Sequence, residues 1–443
     1  MQLKELSAIA RDCGIAGAGG AGFPTYAKLD KRADTVICNC AECEPLFRVH
    51  RQLLAKYARE IVGSLCMIAE VVEAKRVIVA LKPSYREARE ALEGVLSSYP
   101  NTEICLLPEV YPAGDEVVLI YEATGRVVPP GDIPISVGVT VFNVETLLNL
   151  WDAVENGAPV THKYVMVAGE VEHPVTVRVP LGMTLKDVVE KAGKITTENP
   201  VYISGGPMTG RIANPYETVT KTTNAVIILP ENHSLVLRRK SKTTVNVHRA
   251  MSACCSCRMC TDLCPRHQLG HPIEPHEFMN AVANNAPEKV NAFLNTMYCS
   301  QCGLCEMYAC GQGLSPASLI GTYKNGLRAK GITVTKQEAS NVAPERPYRK
   351  VSLGRLTARL GLSRYNKPAP ILDETYVSSV LRLPLQQHIG APSVPTVKPG
   401  DWVAAGQEIG MAAEGKLSLP LHTPITGVVK EVGNDVIVIQ MQS

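Results

Sequence analysis

The stretch "GAGGAGFPTYAK" (residues 17–28) meets the pattern G-x-G-x-x-G over its first six positions, and an acid, Glu42, stands twenty residues beyond Gly22. In a dinucleotide-binding βαβ unit a strand delivers the chain into such a turn. A helix then opens behind it, its N-terminus aimed at the pyrophosphate. Neither condition holds here. Leu3, Leu6, Ile9, Ala10 and Cys13 recur at helical spacing before the glycines. Pro24 keeps the residue before it out of a helix, and the strand-like run "TVICNC" (35–40) comes only afterwards. The glycines therefore form a loop that is not a simple Rossmann fingerprint. Five of them between Gly14 and Gly22 cost backbone entropy. Bare N–H groups open to a flat ring or a phosphate are the functional reason for them; a structural turn is the alternative.

Outward from the loop, "TVICNC", "RVIVALK" (76–82) and "EICLLPE" (103–109) read as buried strands. A helical pattern over 51–73 and another over 85–99 separate them. Strands alternating with helices predict a parallel α/β sheet over residues 1–157. From residue 164 short strands surround one helix, "TLKDVVEKAG" (184–193), and "PVYISGGPMTG" (200–210) runs into glycines. This predicts a small α+β module over 160–235, trailed by a solvated basic connector, "LRRKSK" (237–242). Residues 336–378 read as a linker with one helix. Residues 379–443 read as short strands and Gly-marked turns, a small β-sandwich or barrel.

Composition narrows the function. The chain has 443 residues, a net charge of +3 and only 5% aromatics, which gives no case for a nucleic-acid partner. No apolar run approaches the ~18 residues of a membrane span. The opening residues mix acids and bases, unlike a signal peptide, so a cytoplasmic location is expected.

Fifteen cysteines in such a chain point to metal or redox chemistry, and nine of them fall between Cys254 and Cys310. Cys254, Cys257, Cys260 and Cys264 are spaced C-x2-C-x2-C-x3-C-P, and Cys299, Cys302, Cys305 and Cys310 are spaced C-x2-C-x2-C-x4-C. A cubane takes three close thiolates and one remote thiolate, which in two-cluster ferredoxins comes from the other motif. The expected sets are therefore Cys254, Cys257, Cys260 with Cys310, and Cys299, Cys302, Cys305 with Cys264. Structural zinc is the alternative, but zinc knuckles pair separate C-x2-C units, and a third cysteine at that spacing crowds a tetrahedral site. Cys13, Cys66, Cys105 and Cys255 read as spare thiols.

Four ordered motifs carry a resemblance: "GAGGAGFPTYAK", "NCAECEP" (39–45), "YPAGDE" (111–116) and "VFNVETL" (141–147). Together they resemble the flavin site shared by the flavin-binding subunit of respiratory complex I, the C subunit of the Rnf complex and the PduS-type cobalamin reductases. The resemblance implies FMN on Gly17, Gly19, Gly20 and Gly22, with Phe23 against the ring and Lys28 near the phosphate or ribityl chain. It puts Asn39, with Glu42 and Glu44 as the catalytic acids, on the isoalloxazine and nicotinamide side. Tyr111, Gly114, Asp115 and Glu116 complete that wall, and Asn143, Glu145 and Thr146 hold the phosphate end. Complex I has Arg at Ala18, Asp at Ala41 and an aromatic at Lys31, departures that bear on NADH more than on FMN.

The implied architecture is multidomain α/β: a Rossmann-like parallel-sheet flavin domain, a β-grasp (SLBB) module, a helical two-[4Fe-4S] ferredoxin domain over 245–335, and a C-terminal barrel-sandwich hybrid. That last fold also serves lipoyl and biotinyl carriers, but Lys416 lacks their flanking residues, so a docking module is expected. Flavin first and barrel last is the PduS order. The resemblance thus implies an NADH-dependent oxidoreductase with FMN and two [4Fe-4S] clusters. Its implied acceptor is cobalamin or a cobalamin-processing adenosyltransferase, and its implied setting a bacterial microcompartment with a shell protein as partner. An Rnf-like relay to a protein partner, and an FMN/iron–sulfur adaptor without NADH activity, are the alternatives.

Overall fold

The computed structural model describes residues 1–338 and 340–442; Ala339, in the stretch read as a linker, and Ser443, in the last module, lie outside the described residues. Helix α1 (Leu3–Asp12) buries Leu6 and Ala10 and is followed by the glycine loop. Then come β1 (Thr35–Asn39), α2 (Val49–Lys56), α3 (Ala58–Val72), β2 (Arg76–Leu81), α4 (Arg86–Val95) and β3 (Thr102–Leu106). A two-residue β4 (Val110–Tyr111), α5 (Glu116–Thr124), β5 (Val139–Asn143) and α6 (Val144–Asn156) complete the unit. The strands pair in parallel in the order β3-β2-β1-β5.

Both faces of this sheet are covered, as its β-branched runs require. Val36, Val77 and Val79 face α2, α3 and α6, whereas Ile37, Ile78 and Val141 face α5. The helical pattern over 51–73 is in fact two helices broken at Tyr57, whose φ is −129°. Its hydroxyl meets that of Tyr164, in the next module, at 3.3 Å. The apolar period runs through the break because both halves face one core.

The second sheet contains β6 (His162–Gly169), β7 (Val175–Pro180), β8 (Pro200–Ser204), β9 (Arg211–Ala213) and β10 (Ala225–Pro230). The helix α7 (Leu185–Glu190) starts where the Thr184 hydroxyl accepts from Asp187 N–H. The basic connector is not simply solvated: it forms α8 (Ser234–Lys240), which buries Leu235 and Val236. Arg239 donates to the Pro207 carbonyl at 2.6 Å and Arg238 to that of Glu306 at 3.1 Å.

The cysteine-rich region is helical: α9 (Thr243–Ala253), α10 (Met259–Asp262), α11 (Pro265–Gln268), α12 (Pro275–Ala283), α13 (Val290–Leu294) and α14 (Pro316–Ala329). Ala250, Phe278, Met279, Leu319 and Ile320 form its own small core. The stretch read as a linker pairs with two earlier modules, in a separate two-stranded sheet with β4 and at the edge of the second sheet. Its β11 (Val351–Ser352) pairs with β4, α15 (Leu353–Arg359) follows, and β12 (Ile371–Thr375) joins β7 in parallel. Among the described residues, seven short strands finish the chain in two small sheets. No described helix is long and apolar enough to cross a membrane.

Two buried lysines fasten the modules together. Lys163, at the start of β6, forms an ion pair with Glu145 in the first turn of α6, both side chains only 1% exposed, and donates to Asn224 Oδ1 at 2.8 Å. Glu145 Oε1 also accepts from Tyr164 N–H at 3.0 Å. Burial pulls the Lys163 ammonium below its ordinary range while Glu145 holds it up. Lys221 donates to the carbonyls of Gly14 at 2.7 Å and Pro420 at 3.2 Å, so three modules meet on one amine, which burial pulls down to about 7.

Removing one partner of a buried pair strands the other charge, at a cost of about 3–5 kcal/mol. Glu145→Gln or Lys163→Met alone should therefore lower the first melting transition in calorimetry clearly. The double variant Glu145→Gln/Lys163→Met should recover most of the loss.

Candidate functional site

Strands β1 and β5 run in register, with Asn39 opposite Asn143 at their carboxyl ends. β2 lies on the other side of β1, so the chain connections diverge between β1 and β5. The crevice beyond such a point is where open α/β sheets take ligands. A cavity of about 1030 Å³ opens there, at the upper end of the roughly 300–1,000 Å³ typical of small-molecule sites.

The glycine loop forms one wall. Gly17 N–H donates to the Phe23 carbonyl at 2.9 Å, and Ala18 N–H to Thr146 Oγ1 at 2.9 Å. Between these anchors, the N–H groups of Gly19, Gly20 and Ala21 meet no acceptor among the described residues. A Cβ on Gly19 would stand 2.6 Å from Asn143 Nδ2, and Gly20 has φ +94°. Asn143 caps α6 by accepting from Glu145 N–H at 2.9 Å, and its Nδ2 rests on the buried ring of His50. Free backbone donors beside a helix N-terminus suit a phosphate. Half-buried Phe23 on the same wall suits a flat ring.

The expected side chains gather at this cavity with one exception. Lys28 lies on the wall, held by Glu116 at 2.8 Å and the Val141 carbonyl at 3.0 Å. Asn39 Nδ2 donates to the Gly114 carbonyl at 3.0 Å, and Gly114 N–H donates to Cys43 Sγ. Glu145 is the exception: its carboxylate turns away to Lys163, so its part is to join modules rather than to line the site.

The two acids expected to be catalytic are both occupied. The Glu42 carboxylate is sealed at the start of α2, accepting from His50 N–H at 3.0 Å and Arg51 Nε at 3.1 Å. Glu44 reaches the β-grasp turn, accepting from the N–H groups of Met208 at 2.7 Å and Thr209 at 2.8 Å and from the Thr209 hydroxyl. Burial pushes its carboxyl above the usual range. Gly206 must be glycine there, since a Cβ would collide with Glu44 Cδ. Both acids thus hold protein donors and help to build the cavity walls.

Sequence reasoning missed the opposite wall. Ser204, Gly205, Gly206, Thr209 and the threonine run Thr218, Thr220, Thr222 and Thr223 face the glycine loop from the β-grasp module, and Ile389 of the last module reaches the rim. The Gly-Gly pair at 205–206 was the one visible signal. The lysine in the position of a family aromatic, Lys31, is outside this lining and pairs with Glu73.

The cavity abuts the cysteine region. Asp115 caps α5 through the N–H groups of Val117 and Val118, and both its oxygens accept from Arg266 Nη2 at 2.9 Å. Arg266 lies two residues beyond Cys264. The Tyr111 hydroxyl donates to the Cys302 carbonyl, and Cys302 itself lines the cavity.

The cysteines of the two motifs come near one another. Burial and the neighbouring Cys257, Cys310 and Cys254 push the Cys260 thiol up to about 12. Cys264 is pushed up to about 12 by burial, with Cys299 beside it. Cys302 and Cys305 are likewise raised, with Cys264 and Cys299 among their neighbours. Cys260 thus has Cys310 among its neighbours, and Cys302 and Cys305 have Cys264 among theirs. Among the described residues no three ligands converge as they would on a single ion, and quartets of soft thiols suit iron–sulfur clusters.

Placing a side chain at Gly19 should test the wall. Gly19→Val should strip flavin from the purified chain, measured after acid extraction, while iron and sulfide per chain stay unchanged.

Four family models match in order: the Nuo51 FMN-binding domain at residues 10–152, the SLBB domain at 164–212, the 4Fe-4S dicluster domain at 253–315 and the RnfC barrel sandwich hybrid domain at 365–442. Cobalamin reductase PduS of Citrobacter freundii is 40% identical over 426 residues, covering 95% of this chain and 93% of that one. The protein of the same name from Salmonella typhimurium is 39% identical over 441 residues, covering 99% and 97%. One component of the proton-translocating ferredoxin:NAD(+) oxidoreductase complex from Clostridium ljungdahlii is 31% identical over 273 residues, covering 60% and 57%. An NAD+-reducing [NiFe]-hydrogenase in the H2-reduced state shares the fold at a TM-score of 0.50 and 22% identity, covering 74% of this chain and 61% of that one. With an FMN-binding domain, a 4Fe-4S dicluster domain and near-full-length likeness of this order, the chain is an oxidoreductase that belongs to the PduS cobalamin reductase family.

Proposed function

We propose that the chain takes electrons from NADH and delivers them singly to a cobalamin, reducing its cob(III) or cob(II) form. The observation that carries this reading is an unbroken adjacency. The cavity has Cys302 in its wall, Cys305 of the same motif has Cys260 of the other among its neighbours, and beside Cys260 stands solvent-exposed Cys257. FMN, when bound, exchanges a hydride pair for single electrons, which a nicotinamide donor and iron–sulfur acceptors require.

On this reading Gly17, Gly19, Gly20, Gly22, Asn143 and Thr146 hold the flavin's phosphate side, and Phe23, Asn39, Tyr111 and Gly114 its ring side. The Lys28–Glu116 pair stands between them. Cys264, Cys299, Cys302 and Cys305 hold the cluster near the cavity; Cys254, Cys257, Cys260 and Cys310 hold the outer one. Asp115 and Tyr111 keep the inner cysteines against the wall. The threonine wall faces the donor nucleotide with hydroxyls, beside the paired charges of Arg211 and Glu217. A cavity of about 1030 Å³ that holds a flavin leaves room for roughly one more small ligand. A corrinoid is too large for that space, so cobalamin meets the chain at the exposed quartet. The family resemblance extends the reading to a corrinoid adenosyltransferase and a compartment shell protein as partners, which co-purification tests.

One observation favours a second reading, an adaptor that holds FMN without using NADH: both acids on the nicotinamide side already hold protein donors. Anaerobic mixing separates the two. Under the first, NADH bleaches the flavin band and then reduces hydroxocobalamin. Under the second, dithionite bleaches the band and NADH does not.

The order of the quartets gives a further expected outcome. Cys310→Ser should leave flavin bleaching by NADH intact and slow cobalamin reduction at least tenfold. Reduction at the unaltered rate would place the corrinoid upstream of the outer quartet and overturn this order.

A further inference from the structure

Beside the inner quartet lies a second cleft of about 430 Å³, which shares Asp115, Glu116 and Ser300 with the main cavity. Its lining includes Cys299, Gln301, Lys324 and Arg266. Two of its charges are neutralised within the protein: Arg266 by Asp115 and Glu116 by Lys28. Lys324 is not. It sits on α14 with 9% of its surface exposed, and its Nζ donates to the Cys299 carbonyl at 2.5 Å. Among the described residues no carboxylate lies within ion-pair distance of it. A buried ammonium without a counter-charge is costly, so its retention here calls for negative charge close by. The candidate within reach is the thiolate quartet itself.

The same corner concentrates other donors. Gln301 directs its N–H at 3.3 Å and its Nε2 at 3.2 Å to Cys299 Sγ. Gly321 leaves space for that side chain, since a Cβ there would stand 2.7 Å from Gln301 Oε1. In the outer quartet Cys310 Sγ accepts from Leu314 N–H at 3.3 Å, and Cys257 is open to solvent. Charge, hydrogen bonds to sulfur and solvent exposure are the levers that set cluster potentials. The two quartets are therefore poised by different means, the inner one by fixed protein charge and donors.

We propose that Lys324 is a positioning residue that raises the reduction potential of the inner cluster, its ammonium serving as counter-charge at the Cys299 corner. The inference rests on the reading of Cys264, Cys299, Cys302 and Cys305 as one cluster's ligands. That reading fails separately, in the iron and sulfide content of the unaltered chain.

The test is an anaerobic dye-mediated redox titration followed by EPR on the full chain with flavin and clusters in place. The Cys310→Ser background assigns the remaining signal to the inner cluster. Lys324→Met should lower the inner potential by at least tenfold in the reduction equilibrium, or ~59 mV for one electron. The outer potential should stay where it is, and Lys324→Arg, which keeps the charge, should restore most of the shift. An inner potential unchanged in Lys324→Met, an equal shift of both clusters, or a shift in Lys324→Arg as large as in Lys324→Met would each overturn the proposal. If Lys324→Met loses iron, Lys324→Gln takes its place, and an unshifted potential there overturns it equally.

Discussion

The buried pair between Glu145 and Lys163 is the contact on which the cavity depends. Glu145 sits in the first turn of α6, next to the Thr146 hydroxyl that anchors the glycine loop. Lys163 lies at the start of β6 and also holds Asn224, which follows Thr223 in the cavity lining. One ion pair therefore sets the distance between the two faces of the cavity. Its energetic logic is specificity more than stability, because desolvation takes back much of what the attraction supplies. A charge left unpaired inside the protein is so unfavourable that the modules have one admissible way to meet.

Polar side chains that looked like chemistry turn out to be joinery. Glu42 secures the start of α2, Glu44 the β-grasp turn, and Asp115 the segment after Cys264. Such use suits an electron carrier. Hydride and single-electron transfers ask the protein for close, fixed distances and for electrostatics around the cofactors. The structure uses its acids to hold the glycine loop, the threonine wall and the inner cysteines as one unit.

Much of the fold was legible because its signals are local. The runs at 35–40 and 76–82 are apolar and β-branched, and they became the central strands of a parallel sheet buried on both faces. Cysteine spacing could be read as two cluster motifs, and the 4Fe-4S dicluster domain matches over the same stretch, residues 253–315. The break at Tyr57 was not legible, because apolar residues keep their period across it. Nor was the threading of 336–378, where β12 extends a sheet begun about two hundred residues earlier. Short polar strands of that kind take their pairing from the sheet edge they join, not from their own side chains.

The sequence by itself determined the kinds of groups present: a bare glycine loop, two thiol sets at cluster spacing, and strands and helices in α/β alternation. These follow from backbone sterics, ligand reach and hydrophobic period, all of which act over a few residues. Tertiary structure alone decided which polar groups face the cavity and which are consumed in holding it. Glu145 and Thr146 are neighbours in the chain, yet one joins two modules and the other lines the site. The physical reason is that a buried charge or hydrogen-bonding group takes its role from its partner, and these partners come from other modules of the chain.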